Sequence, residues 1–186
     1  MTRLLLLTDR AQLRLGRGLV RTVAECVAEG LGTVVVREHD LPEAAWSALV
    51  DRLGTIPGLE VLTSRRRHPG AAGVHLATHQ PVPAPGSRHG RSCHGLEDLR
   101  VAAAQGARWA TLSPWAPSPS KPGHGPSVDP AWFARTPLPT YALGGIDHRN
   151  AADALAAGAS GVAVMGAVMR AADPAAEVAR LLKVLR

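Results

Sequence analysis

Two short apolar runs near the C-terminus, Thr140-Tyr141-Ala142-Leu143 and Gly161-Val162-Ala163-Val164-Met165, constrain this chain more than any other stretch. Each reads as a strand buried on both faces and ends in glycine, Gly144-Gly145 in one case and Gly166 in the other. Helical patterns follow, over 147–158 and 173–186. Asp147 and Asp173 stand where N-caps are expected, because a carboxylate accepts the orphan N–H groups of a first helical turn. Two adjacent strand–glycine–helix units place bare backbone amides side by side at the strands' C-terminal ends. That arrangement suits a phosphate.

Six further apolar runs precede these two, over 3–7, 33–37, 59–63, 73–77, 91–93 and 109–112, with strands seven and eight at 140–143 and 161–165. Helical faces separate several of them. Leu19, Val23, Cys26 and Val27 share one; Trp46, Leu49, Val50 and Leu53 share another; Leu96, Leu99 and Ala103 mark a third. Val178, Leu181, Leu182 and Leu185 repeat the same spacing at the end. Asp40-Leu41-Pro42-Glu43 has the form of a capping box. The connections 64–72 and 78–90 are too short, or too rich in proline, for full helices. Eight buried strands alternating with helices predict a compact (β/α)8 TIM barrel over residues 1–186, one domain, with its phosphate site after strands seven and eight. The segment 113–130 has five prolines before Ser127 and reads as a long ordered loop after strand six, at the active end of the barrel.

Composition narrows the partners. Aromatic residues are only 3% of the 186, so Ala, Val and Leu must fill the interior. A formal charge of +6 favours anionic ligands. Nucleic acid is disfavoured, because the basic residues are scattered and no stacking platform for single strands is visible. The dense run Arg65-Arg66-Arg67-His68 reads as a solvated loop. A phosphate monoester is the better match. Cys26 and Cys93 are far apart with no CxxC spacing, which points away from a metal or redox motif and toward a reducing cytosol. Leu4 to Leu7 is too short for a signal-peptide core, and no run reaches membrane-spanning length. The expectation is a soluble cytoplasmic protein.

Candidate site residues follow from the strand ends. Arg37 closes strand two, where a guanidinium suits a phosphate or carboxylate clamp; the alternative is an ion pair with Glu38 or Asp40. Ser118, Ser120 and Lys121 in the proline-rich loop offer hydroxyl and ammonium donors to phosphate oxygens, or else form an ordinary solvated loop. Gly144, Gly145 and Gly166 supply the backbone cradle. His39, His79 and His94 fall just after strand ends, where an acid or base would be wanted, while His75 lies inside a strand run and reads as a satisfied core or mouth residue. No HxH or HExxH spacing suggests a metal, and Glu38 and Asp40 are the only obvious carboxylates at the mouth, so no metal ligands are assigned.

These pieces together resemble one family. Val36-Arg37-Glu38, Gly73-Val74-His75-Leu76, Gly90-Arg91-Ser92-Cys93-His94, Ser118-Pro119-Ser120-Lys121-Pro122-Gly123, Leu143-Gly144-Gly145-Ile146 and Gly161-Val162-Ala163-Val164-Met165 occur in the order of the thiamine phosphate synthase/TenI family of small phosphate-binding barrels. The resemblance runs almost end to end. It implies that Arg37 contacts a pyrophosphate, that Ser118, Ser120 and Lys121 form a phosphate loop, and that Ser92 after strand five is a substrate contact. It also implies that a thiazole phosphate rests on Gly144, Gly145, Met165 and Gly166.

The synthase branch joins an aminopyrimidine diphosphate to a thiazole phosphate, releasing pyrophosphate with magnesium. Its Gln-x-Arg-x-Lys appears here as Val35-Val36-Arg37-Glu38-His39, its Asn-Asp after strand three as Thr63-Ser64, and its second magnesium aspartate near Gln80. Loss of both metal carboxylates removes a major source of charge stabilisation. The TenI branch, whose chemistry is a metal-free aromatisation of a thiazole carboxylate phosphate tautomer, resembles this chain better through Leu76-Ala77-Thr78-His79. The expectation is therefore a TenI-like thiazole tautomerase with His39 and His79 as acid–base candidates and no cofactor. Thiamine phosphate synthase, with Mg2+, is the alternative enzyme. A non-catalytic phosphate-ligand-binding regulator is the third reading, and a homodimer is allowed.

Overall fold

In this computed structural model, residues 2–84, 86–117 and 126–186 are described. Eight parallel strands close into a barrel in sequence order: β1 Leu4–Leu7, β2 Thr33–Val36, β3 Glu60–Ser64, β4 Gly73–Leu76, β5 His89–Cys93, β6 Trp109–Leu112, β7 Thr140–Leu143 and β8 Gly161–Val164. Closure is made by β1 and β8, with Leu4 opposite Val162 and Leu6 opposite Val164. The expected (β/α)8 barrel is the fold.

Strand alternation sorts the apolar residues into two layers. Leu5, Leu7, Val35, Leu62, Trp109, Tyr141 and Ala163 point inward and pack on one another. Their neighbours, including Leu4, Leu6, Val34, Val36, Ala110, Leu112 and Val162, point outward against the helices. Trp109 is too large for a barrel this narrow unless the next strand gives way. Gly90, its register partner on β5, does so, since a Cβ there would overlap the indole ring.

The outer layer contains α1 Leu19–Ala28, α2 Glu43–Gly54, α3 Leu96–Ala104, α4 Ala151–Ala156, α5 Gly166–Met169 and α6 Pro174–Val184. Among the described residues, none is long and apolar enough to cross a membrane. Asp173 caps α6 as expected, accepting the Ala176 N–H at 3.0 Å. Two expected caps are not caps. Asp147 instead accepts from the Arg149 N–H and guanidinium, so α4 begins only after Asn150. Asp40 turns away to pair with Arg10, and α2 starts after Pro42 with no side-chain cap. In each case a nearby arginine outcompetes the helix N-terminus for the carboxylate.

Among the described residues, no helix follows β3 or β4, as proline content and length predict. Where a helix would satisfy its own backbone, a side chain does so here. Arg91 faces outward from β5, is 2% exposed, and its Nη1 donates to the carbonyls of Ala77, Thr78 and Gln80 at 2.8–3.0 Å. That single guanidinium fixes the start of the β4–β5 connection.

Gly90→Ala is expected to destabilise the barrel by about 1–3 kcal/mol through overpacking against Trp109, measured by urea unfolding monitored through tryptophan fluorescence.

Candidate functional site

The C-terminal ends of the strands bring the candidate residues to one rim. Arg37 leaves β2, anchored by its N–H to Thr8 Oγ1 at 2.9 Å, and its Nη1 reaches Met165 Sδ at 3.2 Å. Two residues selected separately from the sequence, Arg37 and Met165, therefore meet across the mouth. A polar chain that sequence reasoning missed frames this contact. Asp9 Oδ2 lies 3.9 Å from Arg37 Nη1 and accepts from Gln12 Nε2 at 2.5 Å, and Gln12 Oε1 accepts from Arg170. The Arg170 guanidinium covers the face of Gly166 where a side chain would otherwise stand. The sequence signal for Asp9 was its place after a strand end; Gln12 and Arg170 carried none.

Neither carboxylate expected to compete for Arg37 does so. Glu38 is 2% exposed and bound by Arg10 at 2.8 Å, and the same guanidinium takes Asp40 at 2.6 Å. Both acids are spent on Arg10, while among the described residues the carboxylate that pairs with Arg37, Asp9, is at the limit of an ion pair.

The glycine turn after β7 has the conformation its sequence requires. Gly144 and Gly145 have φ of 99° and 63°, which favour glycine. A Cβ on Gly145 would lie 2.5 Å from the Pro117 carbonyl oxygen. The segment leaving β6 lies over this turn, with Trp115 N–H donating to Leu143 O at 2.8 Å and Ala116 N–H to Gly144 O at 3.0 Å. Asn150 Nδ2 donates to Gly145 O at 2.8 Å. Three successive carbonyls are thus held, which fixes the peptide planes of the turn. Ser118, Ser120 and Lys121 lie outside the described residues.

Ser92 is held from below by a polar chain inside the barrel. Trp109 Nε1 donates to His75 Nδ1 at 3.2 Å, and His75 Nε2 faces Ser92 Oγ at 3.1 Å and Thr111 Oγ1 at 3.2 Å. An indole N–H can only donate, so His75 Nδ1 carries a lone pair and Nε2 carries the proton. Full burial, and then the charge of Arg91, push His75 down to about 4. Of the core and mouth roles expected for His75, the core one is seen, and it extends to orienting Ser92.

The two acid–base candidates make no hydrogen bond to each other among the described residues. His39 Nε2 lies 3.1 Å from Ser64 Oγ. Partial burial of its ring, and then the charges of Arg65, Arg37 and Arg66, push His39 down to about 4, so it is neutral at neutral pH. His79 is exposed and makes no side-chain hydrogen bond among the described residues. His94 donates or accepts at Ser113, away from both.

A divalent cation does not fit the donor set. Among the described residues, no group of three or more His, Cys, Asp or Glu side chains could hold one. Ser64, after β3, is engaged with His39, and Gln80, after β4, spends its amide on Arg65 O at 2.6 Å and on the Ala77 N–H at 3.2 Å.

Comparison with known proteins adds a family. The family model described as thiamine monophosphate synthase matches residues 66–168. A Geobacter sulfurreducens protein, provisionally named a thiamine-phosphate synthase, is 37% identical over 98% of this chain and 93% of its own length. A thiamine-phosphate synthase of Thermosynechococcus vestitus is 40% identical over 50% of this chain, but that match spans only 28% of the relative. Among solved structures, a thiamine phosphate pyrophosphorylase from Pyrococcus furiosus superposes with a TM-score of 0.85 over 98% of this chain and 95% of the other, at 23% identity. That likeness shows the fold.

His75 makes stability depend on pH. Its folded pKa lies below the ordinary value near 6.5, so the unfolded chain binds the extra proton first. The stabilisation is complete above about 6.5 and is lost as pH falls toward about 4, at about 1.4 kcal/mol per unit of depression. Urea unfolding at several pH values is expected to show this loss in the wild type and a flatter dependence in His75→Asn.

Proposed function

The chain belongs to the thiamine monophosphate synthase/TenI family, and from that premise we propose that it is a thiamine-biosynthesis enzyme acting on a thiazole phosphate at the C-terminal mouth of its barrel. The observation that carries this reading is Arg37 crossing from β2 to Met165, beside Gly166 after β8. A permanent cation there is suited to phosphate oxygens, because guanidinium donors match them in pairs. The fixed Gly144–Gly145 turn offers the second half of the grip.

Of the two reactions the family suggests, transfer is the first reading. In it, the aminopyrimidine group passes from its diphosphate to the thiazole phosphate and pyrophosphate leaves. The full-length relative with a synthase name supports it over the tautomerisation that the sequence favoured. Arg37 would meet the departing charge, the glycine turn would hold the thiazole's own phosphate, and Ser92, oriented by His75, would contact the substrate ring. The residues present do not form the family's magnesium site, so no step here is assigned to a metal.

A second reading, metal-independent aromatisation of a thiazole phosphate tautomer, is favoured by one observation. His39 is neutral at neutral pH and sits at the mouth against Ser64, so it could take up a proton from a bound ester.

Supplying thiazole phosphate and the aminopyrimidine diphosphate, with pyrophosphate release as the readout, tests the first reading. Release is expected, and Arg37→Ala should lower kcat/KM by about 10- to 100-fold, the equivalent of about 1.5–3 kcal/mol for a lost bond to a charged group. Aromatisation of the tautomer without pyrophosphate would establish the second reading instead. Binding of thiazole phosphate with neither reaction would leave a ligand-binding protein.

A further inference from the structure

The run at Arg65 reads from sequence as a solvated loop, yet its backbone is held in a conformation that an arginine adopts only at a cost. Arg65 has φ of 65°. Arg66 N–H donates to Ser64 O at 2.8 Å, closing a tight three-residue turn centred on Arg65. Two further bonds brace the turn: Arg65 N–H donates to His75 O at 2.9 Å, and Arg65 O accepts from Gln80 Nε2 at 2.6 Å. Glycine would occupy this position without strain. Surrounding structure that enforces such a conformation on a side-chain-bearing residue points to a use for that side chain.

The side chain is placed accordingly. Arg65 is exposed at the end of β3 and has no carboxylate partner among the described residues. Its neighbour Arg66 is spent on Glu43, on two carbonyls and on the Trp46 ring. Ser64 Oγ, one residue before Arg65, lies 3.1 Å from Nε2 of His39, two residues after Arg37, so the strand ends that carry the two arginines meet at one corner of the mouth. The positions that correspond to the family's metal carboxylates build this corner instead. Ser64 supplies the carbonyl that closes the turn, and Gln80 braces the arginine's own carbonyl.

We infer that Arg65, together with Arg37, forms a metal-free diphosphate site at the mouth, with two permanent guanidinium charges taking the place of the divalent cation that relatives of the synthase type would use. The chemistry is consistent with the donors. A diphosphate presents several anionic oxygens, and two planar guanidinium groups can each take a pair of them. This inference rests on the reading of the mouth as the substrate site.

Calorimetric titration of the whole protein with inorganic pyrophosphate, in EDTA and then in magnesium, tests it. Pyrophosphate is expected to bind in EDTA, and magnesium is expected not to tighten it. Arg65→Gly should weaken binding about 10- to 100-fold, in line with loss of a charge-assisted contact, while unfolding at a temperature no lower than the wild type, because the turn is relaxed. Arg65→Lys, which keeps both charge and strain, should recover part of the affinity. Binding that requires magnesium, or an Arg65→Gly variant that binds as tightly as the wild type, would overturn the inference. A parallel titration of the wild type with thiazole phosphate keeps the two readings apart. If thiazole phosphate binds and pyrophosphate does not, only this inference falls. If pyrophosphate binds through Arg65 and thiazole phosphate does not bind, this inference holds and the proposed substrate is wrong.

Discussion

The indole of Trp109 occupies the middle of the barrel, and much of the rest is arranged around it. It fits because Gly90 leaves the adjacent space empty. It also carries an N–H that must find an acceptor in the interior, since an unmet buried donor costs about 1–3 kcal/mol. His75 Nδ1 is that acceptor. The choice fixes the imidazole tautomer, directs Nε2–H toward Ser92 and Thr111, and so passes a packing constraint in the centre up to a hydroxyl at the rim. In a chain with so few aromatic residues, one tryptophan both fills the core and orients the floor of the candidate site.

Charge at the mouth is organised by which acids are consumed. Arg10 takes both Glu38 and Asp40, and among the described residues the carboxylate paired with Arg37 is Asp9, at 3.9 Å. Because Glu38 and Asp40 are neutralised locally, Arg37 and Arg65 are left to shape the field around His39. Among the described residues, the mouth thus presents guanidinium charge instead of a cluster of carboxylates.

The barrel's economy appears on the side of β3, β4 and β5, where loops replace helices. A loop lacks a helix's internal ladder, so its carbonyls need outside donors. Arg91 supplies three such bonds from one buried Nη1, and Gln80 supplies another at the rim. The short connections thereby become rigid supports for the mouth, and the strained turn at Arg65 depends on them.

The eight strands, their order and the glycine turns were legible in the sequence, because continuous apolar runs and Gly-Gly dipeptides report local burial and backbone conformation directly. Arg37 was legible as a rim residue because it stands at a strand end, while Ser92 and Met165 entered only through the family resemblance. The caps expected at Asp40 and Asp147 were not formed, since a local N-cap signal cannot reveal an arginine that competes for the carboxylate. The pairings of Asp9 with Gln12, Gln12 with Arg170, Arg10 with Glu38, and Trp109 with His75 were also hidden. They join residues up to 158 positions apart, and no periodicity or spacing records which side chains closure will bring together. The sequence by itself determined that this chain closes into an eight-stranded parallel barrel. Only the tertiary structure decided which charges at its mouth are cancelled, because that depends on distances between side chains that local patterns do not encode.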